Sequence, residues 1–257
     1  MTNRGYLRFQ TGDTAGGLTD LEEAIQRHKH GPAYYARALI HEEGGDATRA
    51  LQDYTDAIAA QPDMAPAYLN RALLRLRRQP TCEGVLEDLA SAIQLDDKQH
   101  LAFFNRAVVK AERLQDYAGA LVDYDIALHL CPDDPDYLNN RAHLKSEYLG
   151  DAAGALADYN RALELRPDFT GALANRATLK HQELSDTEGA LRDLTLLLSI
   201  DQSDAQAYNN RGVLRMSCKG DYKGAAEDFR RALHYDPQLK LAADNLDLCG
   251  QASVPCA

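Results

Sequence analysis

The residues of this sequence with the clearest chemical potential are arginines and aspartates that recur at a nearly fixed spacing. Seven arginines follow one another at steps of 33, 34 or 35 residues: Arg4, Arg37, Arg71, Arg106, Arg141, Arg176 and Arg211. An aspartate follows each of them 16 or 17 residues later: Asp20, Asp53, Asp88, Asp123, Asp158, Asp193 and Asp228. A guanidinium and a carboxylate can form two parallel hydrogen bonds. We therefore predict seven ion pairs, and we interpret them as architecture rather than as an active site.

An asparagine stands directly before six arginines of this series. Five of these asparagines recur at steps of 35 residues, Asn70, Asn105, Asn140, Asn175 and Asn210, and Asn3 precedes Arg4. An amide both donates and accepts hydrogen bonds, which suits recognition of an extended peptide backbone. Repeated on successive helices, such amides would form a ladder. The alternative interpretation is that each amide satisfies nearby backbone groups or caps a neighbour, and the sequence leaves both interpretations open.

Motifs for catalysis or metal binding are absent from the sequence. It contains no G-x-S-x-G, P-loop or H-E-x-x-H motif. The eight histidines are scattered, and the five cysteines include no C-x-x-C pair, which argues against a zinc site and a disulfide framework. We predict a protein that is not an enzyme and has no catalytic residue, metal or cofactor. The cysteine usage favours a reducing compartment, so we expect a cytoplasmic location.

Charge and hydropathy exclude two classes of partner. The net charge of −11 opposes binding to nucleic acid and to anionic membrane surfaces. The first residues lack the apolar core of a secretory signal, and no stretch reaches the ~18 apolar residues of a membrane-spanning helix. Apolar residues make up 45% of the chain, which is enough to bury a sizeable core. We expect a soluble protein that binds neither nucleic acid nor membrane.

The elements that position the ion pairs can be inferred from small and bulky residues in the same register. A small residue follows every arginine of the series: Gly5, Ala38, Ala72, Ala107, Ala142, Ala177 and Gly212. In the second half of each copy, apolar residues recur at offsets of 0, 4, 7 and 8, as in Ala155, Tyr159, Ala162 and Leu163. These offsets describe one face of an α-helix. Gly-Asp dipeptides divide several copies, so each copy is predicted to be a helix, a tight turn and a second helix.

This pattern closely resembles the tetratricopeptide repeat (TPR) family. The segments GDAAGALADYNRALELRPD (150–168) and GDYKGAAEDFRRALHYDP (220–237) are similar to the second half of such repeats. The resemblance covers nearly the whole chain. It implies an all-α fold, a right-handed α-solenoid of helix-turn-helix hairpins.

The register predicts one domain spanning residues 1–249. Its seven repeats are expected near 1–31, 32–64, 65–99, 100–134, 135–169, 170–204 and 205–237. Leu246 stands where the next arginine would fall, and no eighth second helix follows. Residues 238–249 are therefore predicted to form a C-terminal capping helix, and residues 250–257 a frayed tail.

The resemblance implies a concave groove lined by the first helices, where asparagines of this register contact ligand backbone in some members. That expectation extends the asparagine series to Asn3 and Asn245. Other groove candidates are apolar in the first copies and polar later: Tyr35, Leu69, Leu73, Phe104, Val108 and His143. The alternative interpretation is that some of these residues belong to the core between repeats.

The resemblance favours a scaffold or adaptor that binds a peptide or protein segment in the groove. Three alternatives stay open: a self-assembling homo-oligomer, the TPR region of a longer multidomain protein, and an RNA-binding repeat of the pentatricopeptide kind. The acidic net charge opposes the last of these. The identity of the partner does not follow from the fold.

Overall fold

The computed structural model describes residues 1–28, 30–78 and 84–252, with side chains through Gly250. Within those ranges the chain forms fifteen α-helices and no strand. The helices are α1 Thr2–Gln10, α2 Thr14–His28, α3 Gly31–Glu43, α4 Ala47–Ala60, α5 Ala65–Arg78, α6 Val85–Leu95, α7 His100–Leu114, α8 Tyr117–Leu130, α9 Pro135–Tyr148, α10 Ala152–Leu165, α11 Thr170–Gln182, α12 Thr187–Ile200, α13 Ala205–Lys219, α14 Tyr222–Tyr235 and α15 Lys240–Ala252. The first fourteen pair in chain order as seven hairpins. The fold is therefore an all-α helical repeat solenoid, as predicted.

Contacts among Cα atoms divide the chain into two compact units where the sequence predicted one continuous domain. Unit 1 is Met1–Pro132 and unit 2 is Asp133–Ala257. Unit 1 contains the hairpins from α1 to α8, and unit 2 contains α9 to α15. The division falls beside the predicted end of the fourth repeat. Each unit is described by itself below.

An aspartate starts the second helix of most hairpins. The side chains of Asp46, Asp116, Asp151, Asp186 and Asp221 each accept a hydrogen bond from the backbone N–H three residues later. This bond satisfies one of the amide groups that a helix N-terminus leaves without an intrahelical partner. The aspartate of the Gly-Asp dipeptide is therefore an N-cap.

The residue before this aspartate has a left-handed backbone. Gly45, Gly150 and Gly220 adopt φ values of 79°, 66° and 65°, which glycine tolerates without steric cost. Gln115 and Ser185 adopt the same conformation, with φ values of 55° and 54°. The tight turn is therefore retained in the copies that lack the predicted glycine.

We expect Gln115→Gly to raise the free energy of unfolding by up to about 1 kcal/mol, because it relieves left-handed strain at a residue with a Cβ. Gln115 is exposed, so no buried side chain is lost. Gly150→Ala is the matched control, since open space surrounds the position of its new Cβ and only the backbone is strained. Urea denaturation should show opposite signs for the two variants. Destabilisation by Gln115→Gly would contradict the strain argument.

The core of each hairpin lies where a small residue of the first helix meets a bulky residue of the second. In unit 1, Ala38 and Ala50 pack with the fully buried Tyr54. In unit 2, Tyr159 and Phe229 are buried in the same way. Alanine or glycine at the contact lets the two helices approach closely. The arginine next to the small residue is thereby held against the second helix.

The C-terminal helix differs in its bounds from the prediction. It begins at Lys240 rather than residue 238 and continues to Ala252 rather than ending at 249. Asp236 accounts for the later start, because it accepts hydrogen bonds from the backbone N–H groups of Gln238 and Leu239 in a turn. Residues 250–252 are helical rather than frayed, and residues 253–257 of the predicted tail lie outside the described residues. Ala242 and Cys249 are buried as the predicted capping face requires.

None of the described helices has the length and apolar character needed to cross a membrane. Within the same residues, no group of three or more histidine, cysteine, aspartate or glutamate side chains is arranged to hold a metal ion.

Candidate binding surface

The seven predicted ion pairs all form. In each, the arginine donates from Nη2 to Oδ1 of its aspartate at 2.6–2.7 Å and from Nε to Oδ2 at 2.7–3.0 Å. The aspartate side chains are only 2–9% exposed. Each pair joins the first and second helices of one hairpin with bidentate geometry.

A second basic side chain, which was not predicted from the sequence, lies beside every one of these aspartates. It stands four residues after the arginine: Arg8, His41, Arg75, Lys110, Lys145, Lys180 and Arg215. Five of them lie 2.8 Å from the carboxylate, Arg8 lies at 3.2 Å and His41 at 3.7 Å. A spacing of four places both basic side chains on one helix face. This regular series of basic residues was visible in the sequence.

The third nitrogen of several arginines reaches the preceding repeat. Nη1 of Arg71, Arg176 and Arg211 donates to Thr55, Asn160 and Thr195 at 3.1, 2.7 and 3.4 Å. An aromatic ring three residues earlier lies 5.6–5.8 Å from the guanidinium of Arg37, Arg71, Arg106 and Arg211. One side chain thus connects two helices of its own repeat and links that repeat to the one before. In Arg71, Arg176 and Arg211, each of the three guanidinium nitrogens donates a hydrogen bond within the fold, which fits an architectural role.

Asp20 permits a direct test of this electrostatic environment. Hydrogen bonds from Arg4 hold the pKa of Asp20 below its ordinary value of 3.8. Because the folded-state pKa is lowered, the pair stabilises the fold above the unfolded-state pKa, and this contribution is lost as pH falls through the folded-state value. We expect ¹³C NMR of the Asp20 carboxyl carbon to show a titration midpoint below 3.8. Arg4→Gln should raise that midpoint, and an equal midpoint in both proteins would contradict the assignment.

In each unit, the asparagines lie on the surface formed by the first helices, which we call the first-helix face of that unit. It comprises α1, α3, α5 and α7 in unit 1, and α9, α11, α13 and α15 in unit 2. Three of the asparagines donate to a side chain of the preceding repeat. Asn70 Nδ2 donates to Tyr35 Oη at 2.9 Å, Asn175 Nδ2 to Asn139 Oδ1 at 3.2 Å, and Asn245 Nδ2 to Asn209 Oδ1 at 3.1 Å. These amides link neighbouring repeats.

Three other asparagines bond within their own helix. Asn105 Nδ2 donates to the Leu101 carbonyl at 2.7 Å, and Asn140 Nδ2 donates to the Asp136 carbonyl at 2.8 Å. Asn210 Oδ1 accepts from Gln206 Nε2 at 3.0 Å. Tyr35 and Asn139, the acceptors for Asn70 and Asn175, occupy the same register in their repeats. At this register, the repeat before Asn105 has Leu69 and the repeat before Asn210 has Ala174. Neither of these side chains has a hydrogen-bond acceptor. The side chain of the preceding repeat therefore decides which bond each of these amides makes.

The apolar groove candidates divide into surface and core residues. Tyr35, Leu73, Phe104 and Val108 are half-buried on the first-helix face of unit 1. Burial raises the pKa of the Tyr35 phenol. The assignment of Leu69 to the groove is wrong, because this side chain is 7% exposed and packs in the core between repeats with neighbours such as Ala72 and Leu89.

Each unit has a cavity on its first-helix face. In unit 1, a cavity of about 610 Å³ lies between α1 and α3 and is lined by residues including Tyr6, Tyr35 and Leu39. In unit 2, a cavity of about 250 Å³ lies between α11 and α13, with Leu194 of α12 among its lining residues. His143 is exposed on α9 and makes an edge contact with Tyr148, their ring centroids 6.2 Å apart. The face is apolar near α1 and carries more amides in unit 2.

Comparison with solved structures identifies many similar folds. The C-terminal part of a TPR repeat-containing protein from Cytophaga hutchinsonii gives a TM-score of 0.73 at 14% identity, covering 96% of this chain and 99% of that one. A tetratricopeptide repeat protein from Parabacteroides merdae gives 0.64 at 20% identity, covering 96% of both chains. YrrB, described as a TPR protein with an unusual peptide-binding site, gives 0.61 at 24% identity, covering 74% of this chain and 96% of that one. These likenesses show the fold.

Family models of the tetratricopeptide repeat match residues 2–65, 35–98 and 135–169. The matches together cover more than half of the sequence and fall in both compact units. No curated protein matches the sequence significantly. With its seven hairpins in one register, the chain belongs to the tetratricopeptide repeat family.

Proposed function

We propose that this protein is a non-enzymatic scaffold whose first-helix face binds an extended segment of a partner protein. The observation that carries the proposal is that this face presents half-buried apolar side chains, amides and a cavity in each unit. Apolar walls supply binding energy, and a few polar groups supply orientation. The arginines, by contrast, have their hydrogen bonds committed to the fold. YrrB, which shares the fold, is described as having a peptide-binding site.

Two asparagines are the best candidates to contact the bound segment. Asn105 and Asn140 donate only to carbonyls of their own helices, so a ligand can engage them without breaking a bond between repeats. Asn70 and Asn175 serve the fold through Tyr35 and Asn139. The proposed ladder is therefore uneven. The proposed contacts are Asn105 and Val108 in unit 1, and Asn140 and His143 in unit 2.

A cytoplasmic location is part of the same proposal. Its support is the free state of Cys131 and Cys218 together with the scattered cysteine pattern.

Site-specific photocrosslinking tests which face binds. A benzophenone amino acid replaces His143, which is exposed on the first-helix face, or Leu196, which is exposed on second helix α12 of the same unit. In lysate of the native cell, we expect protein adducts from position 143 and far fewer from position 196. Adducts only from position 196 would overturn the proposal. An adduct made of two copies of this chain would support self-assembly instead.

A double variant tests the role of the amides. Asn105→Ala combined with Asn140→Ala should leave the melting temperature nearly unchanged, because neither residue bridges repeats. The same variant should lose most adducts formed from position 143. Retention of the full adduct set would contradict the proposed contacts of Asn105 and Asn140.

A further inference from the structure

The cavity in unit 2 has an apolar interior. Ala177 of α11, Leu194 of α12, and Val213 and Leu214 of α13 line it, and three of these four side chains are almost completely buried. Its volume is about 250 Å³, so a side chain from outside has room to enter. The cavity is open to the first-helix face because Val213 and Thr178 are only half-buried.

Four polar side chains line the cavity beside these apolar residues: Thr178, His181, Gln182 and Asn210. His181 Nδ1 is a buried nitrogen without a hydrogen-bond partner in the described part of the chain. Asn210 uses its Oδ1 to accept from Gln206 and Asn209, which leaves its amide N–H groups as donors. Thr178 donates its hydroxyl proton to the Ala174 carbonyl at 3.1 Å and retains its lone pairs. A buried polar group without a partner is costly, so His181 is poised to gain from a ligand that supplies one.

The charge of the site restricts what can enter. The described residues that line the cavity include no aspartate, glutamate, lysine or arginine. A charged side chain would lose its hydration there without finding a counter-ion. A purely apolar side chain would leave His181 Nδ1 unpaired. The suitable occupant has an apolar body and a neutral polar tip that can both donate and accept.

We propose that this cavity binds a tyrosine side chain of the partner segment. The inference rests on the proposed function and names a chemical feature of the partner. The ring would pack against Leu194, Val213 and Leu214. In the Nε2–H tautomer of His181, Nδ1 accepts a hydrogen bond from the phenol, whose oxygen accepts in turn from the Asn210 amide. A phenylalanine would fill the same space but leave both groups unsatisfied.

The test uses 4-methylphenol as a probe of the tyrosine side chain and toluene as its counterpart without the hydroxyl. Methyl NMR of Leu194, Val213 and Leu214 reports binding to the whole protein. We expect saturable shifts with 4-methylphenol and at least roughly tenfold weaker binding of toluene, since the hydroxyl provides the hydrogen bonds. Equal binding of the two probes, or no shift of these methyls, would overturn the proposal.

Two variants locate the interaction. His181→Phe should reduce the preference for 4-methylphenol over toluene to nearly onefold, whereas His129→Phe, at an exposed position of α8 in unit 1, should retain it. Val213→Phe should block both probes by filling the cavity, whereas Val122→Phe, at another exposed position of α8, should not. Binding that survives Val213→Phe would place the probe elsewhere and overturn the assignment.

The probe experiment and the photocrosslinking experiment fail independently. If 4-methylphenol does not bind while position 143 still crosslinks, the tyrosine assignment is wrong and the first-helix face remains the proposed surface. If 4-methylphenol binds in the cavity but only position 196 crosslinks, the cavity accepts a phenol and the proposed function is wrong.

Discussion

Asp158→Ala is expected to lower the free energy of unfolding by about 3–5 kcal/mol, because it removes a buried carboxylate that pairs with two mostly buried cations. Asp158 is 9% exposed and accepts from Arg141 at 2.7 and 2.9 Å and from Lys145 at 2.8 Å. Its loss leaves two cations, both mostly buried, facing each other on α9. The arginine alone was predicted from the sequence, and the second cation strengthens the expectation.

An exposed ion pair in the same repeat provides the control. Arg166 donates from Nη1 and Nη2 to the carboxylate of Asp136 at 3.1 and 2.7 Å, with 40% and 50% of the two side chains exposed. Its geometry is also bidentate, but solvent screens it, so Asp136→Ala should cost about 0–1 kcal/mol. Because both ion pairs are bidentate and only one of them is buried, the difference between the two variants measures the contribution of burial to stability.

Urea denaturation followed by circular dichroism measures both variants. The slope of free energy against urea must be compared as well as the midpoint, because repeat proteins can unfold in parts. Equal losses for Asp158→Ala and Asp136→Ala would show that burial adds nothing to the pair. A negligible loss for Asp158→Ala would remove the proposed reason for the recurrence of aspartate at this position.

The hairpins could be predicted because their determinants are local and repeat seven times. The spacing of Arg141 and Asp158, for example, follows from two helices of known rise joined by a short turn. The turn was harder to predict from the sequence, since Gln115 and Ser185 adopt the left-handed backbone conformation that favours glycine. An N-cap aspartate directly follows each of these two residues. This aspartate was therefore a stronger sequence signal for the turn than the glycine.

The surface was predicted less well because it depends on pairs of residues in different repeats. Asn70 and Asn105 occupy the same register, yet one donates to Tyr35 and the other to its own helix. Periodicity identifies the register but says nothing about the acceptor that the preceding repeat supplies. Leu69 is a second example. Its position in the repeat predicts the first-helix face, but its apolar side chain packs in the core.

The sixth repeat shows how a core accommodates an exception. Leu197 stands where the other copies have alanine, and the larger side chain predicts altered packing there. It is nevertheless fully buried, and so are its neighbours Leu194 and Leu198. Cores tolerate changes of side chain when the total volume is conserved. The same repeat contributes Leu194 to the cavity proposed for tyrosine.

Phe229→Ala is expected to lower the free energy of unfolding by about 3–5 kcal/mol, since it empties a fully buried position. The cavity would open directly against α13, where Gly212 faces the ring. A Cβ at Gly212 would lie 2.7 Å from Phe229 Cε1 and 3.0 Å from Cδ1. Gly212→Ala alone should therefore be destabilising, by about 1–3 kcal/mol, through overpacking.

The two substitutions should be strongly coupled. In the Phe229→Ala background, the added methyl of Gly212→Ala enters vacated space, and alanine favours the helix by about 1 kcal/mol over glycine. Gly212→Ala should then become stabilising, which reverses its sign. A double-mutant cycle of urea unfolding measures this coupling. Gly250→Ala on α15 is the control, because no atom lies near its added Cβ and its effect should be the same in both backgrounds. An equal loss from Gly212→Ala with and without the ring would show that contact with Phe229 does not select glycine there.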